Sequence, residues 1–97
     1  MKRSNVKHIS ELLQGFYDEN PELRQKLMEA RVLRAWGEVL GPATVRATRN
    51  LYVKNGVLYA SVNSSVLRNE LWLNRERLKK ILNEYAGMDV VRDVIIR

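Results

Sequence analysis

The sequence predicts a single small α+β domain in the order helix, helix, strand, strand, helix, strand (ααββαβ). Three observations predict it. Apolar residues recur at spacings of three and four before residue 41 and again after residue 63, the period falls to two around an Asn55-Gly56 pair, and a β-branched run closes the chain. Ninety-seven residues, 45% apolar and 29% charged, with 2 Pro and 5 Gly, suit one folded unit over 1–97, with residues 1–6 expected as a disordered N-terminus. A chain of this size buries only roughly 60–65% of its unfolded surface. That leaves no room for both a core and a deep enclosed pocket, so neither catalysis nor a small-molecule substrate is expected.

Each element has its own reason. Ile9, Leu12, Leu13, Phe16 and Tyr17 form one stripe of a first helix over residues 7–18, which the spacing turns toward a core. Asn20-Pro21-Glu22 then offers a cap, a proline at the first helical position and an acid in the first turn, and Gly41-Pro42 supplies a stop, so a second helix spans 21–40. It is apolar on more than one side, as a helix beneath other elements should be. From Ala43 the alternation sets Val45, Ala47, Arg49, Leu51 and Val53 on one side and Arg46, Thr48, Asn50, Tyr52 and Lys54 on the other, a first strand. Asn55-Gly56 turns it back as a two-residue hairpin that pairs Lys54 with Val57, Val53 with Leu58 and Tyr52 with Tyr59. Asn63 or Ser64 caps a third helix running to Ala86, closed by Gly87, with Leu67, Leu71, Leu78, Ile81, Leu82 and Tyr85 as its apolar arc, interrupted at Asn74. Val90, Val91, Val94, Ile95 and Ile96 form the last strand, with either face free to be the buried one. A right-handed crossover places it parallel to the second strand, in a three-stranded mixed sheet with helices on one face and the other face open.

Several chemistries are absent from the sequence. Without Cys there is no disulfide, thiol nucleophile or cysteine-ligated metal, and His8 is the only imidazole. The glycines match neither a phosphate-cradling loop nor a dinucleotide fingerprint, so no nucleotide cofactor is expected. Met1-Lys2-Arg3 begins like a signal peptide, yet Ser4, Asn5, Lys7, His8, Ser10 and Glu11 fill the place of its apolar region, and no apolar run is long enough for a membrane span. A cytoplasmic protein is expected.

The charge is what points to a partner. The net +6 is concentrated: residues 41–83 hold eight bases and two acids, and the rest of the chain holds nine of each. Such a stretch is either a phosphate-facing surface or a solvated face with uneven charge. On a helical wheel Arg68, Trp72, Arg75 and Lys79 come at spacings of four, three and four, a basic row with one aromatic in it. Trp72 can be peripheral core, a dimer contact or a stacking platform. Tyr52 and Tyr59, opposite each other with Arg46 and Lys54 on the same sheet face, can stabilise an exposed sheet or stack a base. Trp36, in an apolar helix end, reads as core and stays outside the site.

From Trp36 onward the residues carry a further signal. Trp36-Gly37-Glu38-Val39-Leu40-Gly41, then Thr48, Asn55-Gly56-Val57-Leu58 with Val62, Ser64-Ser65, Glu70-Leu71, Leu82-Asn83 and Gly87 resemble, in order and spacing, the DciA family over roughly residues 9–97. These are small bacterial proteins long filed as a domain of unknown function, some of them loaders of the replicative DNA helicase. The resemblance implies a KH-like two-layer domain without enzymatic activity, binding DNA with single-stranded or forked character and contacting the replicative helicase. Two features depart from the family pattern: the aromatic many members carry at Leu67 stands here at Trp72, and their long basic tail is missing. The GxxG clamp of RNA-binding KH domains is also absent. The candidate nucleic-acid contacts are Arg68, Trp72, Arg75, Lys79, Arg46, Tyr52, Lys54 and Tyr59. The alternatives are a protein–protein adaptor, with Trp72, Leu73 and the Tyr pair as the contact, or an RNA-binding KH-like module.

Overall fold

The hairpin sets the frame. Asn55 (φ 53°) and Gly56 (φ 79°) both take left-handed backbone, the pair of conformations a two-residue turn needs to match the strand twist. It joins β1 (Thr48–Lys54) to β2 (Val57–Val62) in the predicted register, Lys54 opposite Val57, Val53 opposite Leu58 and Tyr52 opposite Tyr59. The structure, a computed structural model, describes residues 3–97, and their side chains from Glu11 onward. The third strand, β3 (Asp93–Ile96), runs parallel to β2, so β2 is central in the order β1-β2-β3.

Alternation then sorts the faces. Leu58, Ala60 and Val62 of β2 and Val94 and Ile96 of β3 point into the core, while Tyr59 and Ile95, paired across the strands, point away from it. The inner face is covered by α2 (Pro21–Leu40), α4 (Ser65–Leu73) and α5 (Arg75–Ala86) through Val32, Ala35, Trp36, Leu71, Leu78, Leu82 and Ala86. Val32, Leu58 and Leu82 are fully buried, each worth about 1.5–3 kcal/mol relative to exposure. Trp36 is core, as its position predicts: it is 1% exposed, and its Nε1 donates to Thr48 Oγ1 at 3.1 Å. On α5, Asn83 holds the connection to β3, its Oδ1 accepting from the Val90 and Val91 amides and its Nδ2 donating to the Val91 carbonyl. Ser64 caps α4 by accepting from the Leu67 amide at 3.3 Å, and Gly87 ends α5 in left-handed backbone.

Three expectations are corrected. Residues 43–47 are not strand: Pro42–Ala47 forms a short helix, α3, and β1 begins only at Thr48. Pro42 pre-sets the first helical turn, and Thr48 Oγ1 donates to the Thr44 carbonyl at 2.6 Å, closing its end. Gly37 faces α3 closely: a Cβ there would lie 3.2 Å from the Val45 side chain, which would have to shift slightly to admit it. The third helix is two helices, broken at Asn74, whose Nδ2 bonds back to the Glu70 carbonyl at 2.9 Å. The five helices and three strands thus keep the predicted order with one added turn and one break. Finally, the stripe of α1 (Arg3–Glu19) does not face the core: α1 packs mainly along α2 and leaves Leu12, Leu13 and Phe16 exposed. This helix starts at Arg3, within the segment 1–6 expected to be disordered, and Met1 and Lys2 lie outside the described residues.

Candidate nucleic-acid interface

The helical row is preserved in modified form. Arg68, half-buried on α4, donates through Nη1 to the Val62 carbonyl at 2.7 Å. Trp72 is half exposed, and Arg75, across the break at Asn74, lies over its ring with Cζ 4.1 Å from the centroid. The same guanidinium donates to the Trp72 carbonyl at 2.9 Å, so the break in the helix is bridged by one side chain. A cation over an exposed indole contributes about 0.5–1 kcal/mol. Lys79, one turn further along α5, pairs with Glu76 at 3.0 Å. That partner is exposed, so the pair adds little stability and leaves the ammonium near the surface.

The sheet face is aromatic at its centre. Tyr52 and Tyr59 stack with centroids 4.9 Å apart and planes 16° from parallel. Each ring therefore already spends one face on the other. Ile95 continues the row on β3, and Lys54 lies exposed at the hairpin end. Arg46 does not belong to this face: it sits on α3, exposed, because residues 43–47 are helical.

A residue outside the sequence-based set completes the face. Arg97 comes after β3 in the same alternation as Ile95, donates through Nη2 to the Tyr52 hydroxyl at 3.0 Å, and carries its guanidinium over Tyr59, 5.2 Å from the centroid. Its signal in the sequence is the alternation of the last strand, which is apolar at Val94, Ile95 and Ile96 alike and so does not reveal its faces.

These two groups of side chains meet at Val62. Its amide donates to the Arg97 carbonyl and its own carbonyl accepts from Arg68, both at 2.7 Å. The Arg68 side chain and the Arg97 main chain thus meet at the end of β2. Among the described residues no three His, Cys, Asp or Glu side chains come together as a metal site, and no helix is long and apolar enough to cross a membrane.

Fold and surface together define a small α+β domain that displays basic and aromatic side chains on its helices and its open sheet face. The chain belongs to the DciA family: the family model described as "Dna[CI] antecedent, DciA" matches residues 8–96, nearly its whole length. That family comprises accessory proteins of DNA replication of the helicase-loader type, which act with the replicative helicase. No individual curated protein matches significantly.

Proposed function

We propose that this domain is a non-enzymatic, cytoplasmic accessory protein of DNA replication that binds DNA of single-stranded character and contacts the replicative helicase. On this reading the fold is KH-like, gripping nucleic acid without a glycine clamp. The observation that carries it is the junction at Val62, whose carbonyl accepts from the Arg68 guanidinium and whose amide donates to the main chain of Arg97, the residue that lays its own guanidinium over Tyr59. A single strand crosses that corner with phosphates on Arg68, Arg75, Lys79 and Arg97 and a base against Trp72 or the free side of a tyrosine. Lys54 sits further along the same face as an outlying contact, and Arg46, off the sheet, drops to the margin of the site.

Fluorescence anisotropy of a labelled single-stranded DNA across a salt series tests this reading. About four phosphate contacts give a log–log slope near −3 on a single strand, and the triple substitution Arg68→Ala, Arg75→Ala, Lys79→Ala flattens it by about two units. Unlabelled RNA and duplex DNA as competitors rank the ligands. No binding at low salt overturns the proposal.

One observation favours the adaptor alternative. A mostly apolar cleft of about 270 Å³ opens between α2 and the α4–α5 break, lined by Val39, Leu40, Leu71, Leu78 and Ile81 together with Glu70, Asn74 and Arg77. If the cleft, and not the basic corner, is the contact, helicase binding survives the triple substitution and depends weakly on salt.

A further inference from the structure

The two edges of the sheet differ. β3 has four residues, and its Val94 amide donates to the Asp93 carboxylate at 2.8 Å, so that edge is partly closed by its own chain. β1 has seven residues, no proline, and an outer side with no strand against it. The ladder shows which groups it presents. Val62 donates to the Arg97 carbonyl and Ala60 accepts from the Arg97 amide, so these residues of β2 turn their backbone groups to β3, and Val57, Tyr59 and Ser61 turn theirs to β1. Their partners there are Lys54, Tyr52 and Asn50. Leu51 and Val53, lying between, therefore point N–H and C=O away from the sheet, at the spacing a further strand needs.

A cleft of about 300 Å³ opens beside this edge, lined by Leu33, Trp36, Val45 and Leu51 with the exposed Arg34 and Arg49. Arg49 is the extra residue of a bulge, where the register slips between Thr48 and Asn50. Charge selects the occupant. From Val39 to Asn69 the chain has Arg46, Arg49, Lys54 and Arg68 and no Asp or Glu. None of Arg34, Arg46, Arg49 and Lys54 forms an ion pair with a described carboxylate, and Glu38, one turn along α2 from Arg34, accepts from Tyr85. A second copy of β1 brought to this edge would set these bases against themselves, and like charges oppose association. A strand carrying carboxylates meets attraction instead. A nucleic acid is anionic too, but it has no peptide groups to continue the ladder.

We infer that the β1 edge is a docking site for an extended acidic peptide segment of another protein, which joins the sheet as a fourth strand on the backbone of Leu51 and Val53. An apolar side chain of that segment fills the cleft beside Trp36, and its carboxylates meet Arg34 and Arg49. The main-chain bonds supply affinity, and the cleft and the arginines supply selectivity. This site is separate from the junction at Val62 and stands whether or not that junction binds DNA.

The test is to titrate the full chain with a short labelled peptide that carries aspartates on both sides of a valine-leucine-valine centre. Fluorescence anisotropy reads binding, and hydrogen exchange resolved by NMR reads individual amides. Binding is expected at low salt below roughly 1 mM peptide, weakening as salt screens the charges. The Leu51 and Val53 amides, fast in the free protein, should slow on saturation, while the Tyr52 amide, already paired with Tyr59, should change little. Arg34→Glu with Arg49→Glu changes two exposed positions and should weaken binding about tenfold, with circular dichroism checking the fold. Lysines in place of the aspartates, or N-methylation along the centre of the peptide, should abolish it. No binding of the aspartate peptide at low salt overturns the proposal. So does binding that leaves the Leu51 and Val53 amides fast, which is charge attraction without a strand. Two further results would also overturn it: binding weakened by Arg68→Ala, Arg75→Ala, Lys79→Ala and untouched by the Arg34 and Arg49 reversal, or single-stranded DNA slowing the same two amides in place of the peptide.

Discussion

Helices α1 and α5 are written in the same pattern and have opposite fates. Both space their apolar residues by three and four, yet α5 buries Leu78, Leu82 and Ala86 completely or nearly so, while α1 leaves Leu12, Leu13 and Phe16 in water. The difference lies in what stands opposite. α5 packs against both α2 and β3, to which the short loop held by Asn83 ties it, whereas α1 packs mainly along α2. Periodicity shows that a helix has an apolar side, but not that the same chain supplies the surface to cover it.

The sharpest way to break this comparison is to truncate matched leucines. Leu82→Ala should cost about 2–5 kcal/mol, because it opens a cavity in the closed core, whereas Leu12→Ala should stay within about 0.5 kcal/mol of wild type. Urea denaturation of dilute protein measures both, and equal losses would show that α1 is as integrated as α5. Asn83→Ala comes next. It strands the Val90 and Val91 amides and should cost about 1–3 kcal/mol, with faster hydrogen exchange at those two amides as its local signature. Ser64→Ala removes the cap of α4 and should cost about 1 kcal/mol, less if Gly replaces Ser. The smallest effect concerns Tyr85, which is on α5 but partly exposed, with its hydroxyl donating to Glu38. That hydrogen bond to the carboxylate holds the phenol ionisation above its ordinary value of 10.0. Being raised in the folded state, it contributes stability that is fully present below about pH 10 and is lost as the pH rises through the folded value. A small difference between wild type and Tyr85→Phe at neutral pH should therefore vanish in strong alkali.

Much of this architecture was legible in the residues because local chemistry dictates it. Pro21 and Gly41-Pro42 bound α2, although the Asn20 side chain does not cap it and donates back to the Phe16 carbonyl, and Asn55-Gly56 leaves the hairpin one register. The crossover rule makes β3 parallel to β2. What escaped depends on tertiary context. Five alternating residues from Ala43 to Ala47 suit a strand as well as a helical turn, and the Thr44, Thr48 and Trp36 hydrogen bonds settle them as helix. Arg46 moved off the sheet with them. Trp72, Arg75 and the Tyr pair are in contact as their spacings suggest, but Arg97 depends on which face of β3 is buried, and a uniformly apolar strand keeps that hidden.

The short strand β3 has a consequence of its own. Ile96 points into the core and Arg97 out over Tyr59, so a slip of a single residue along β2 would exchange them, driving a guanidinium inward and an isoleucine into water. The segment between Gly87 and Asp93, pinned by Asn83, acts as the spacer that forbids this slip. One residue inserted or deleted there would leave Tyr52 and Tyr59 in place and still turn Ile95 and Arg97 away from the open face, which makes loop length, as much as residue identity, a determinant of the chemistry this surface presents.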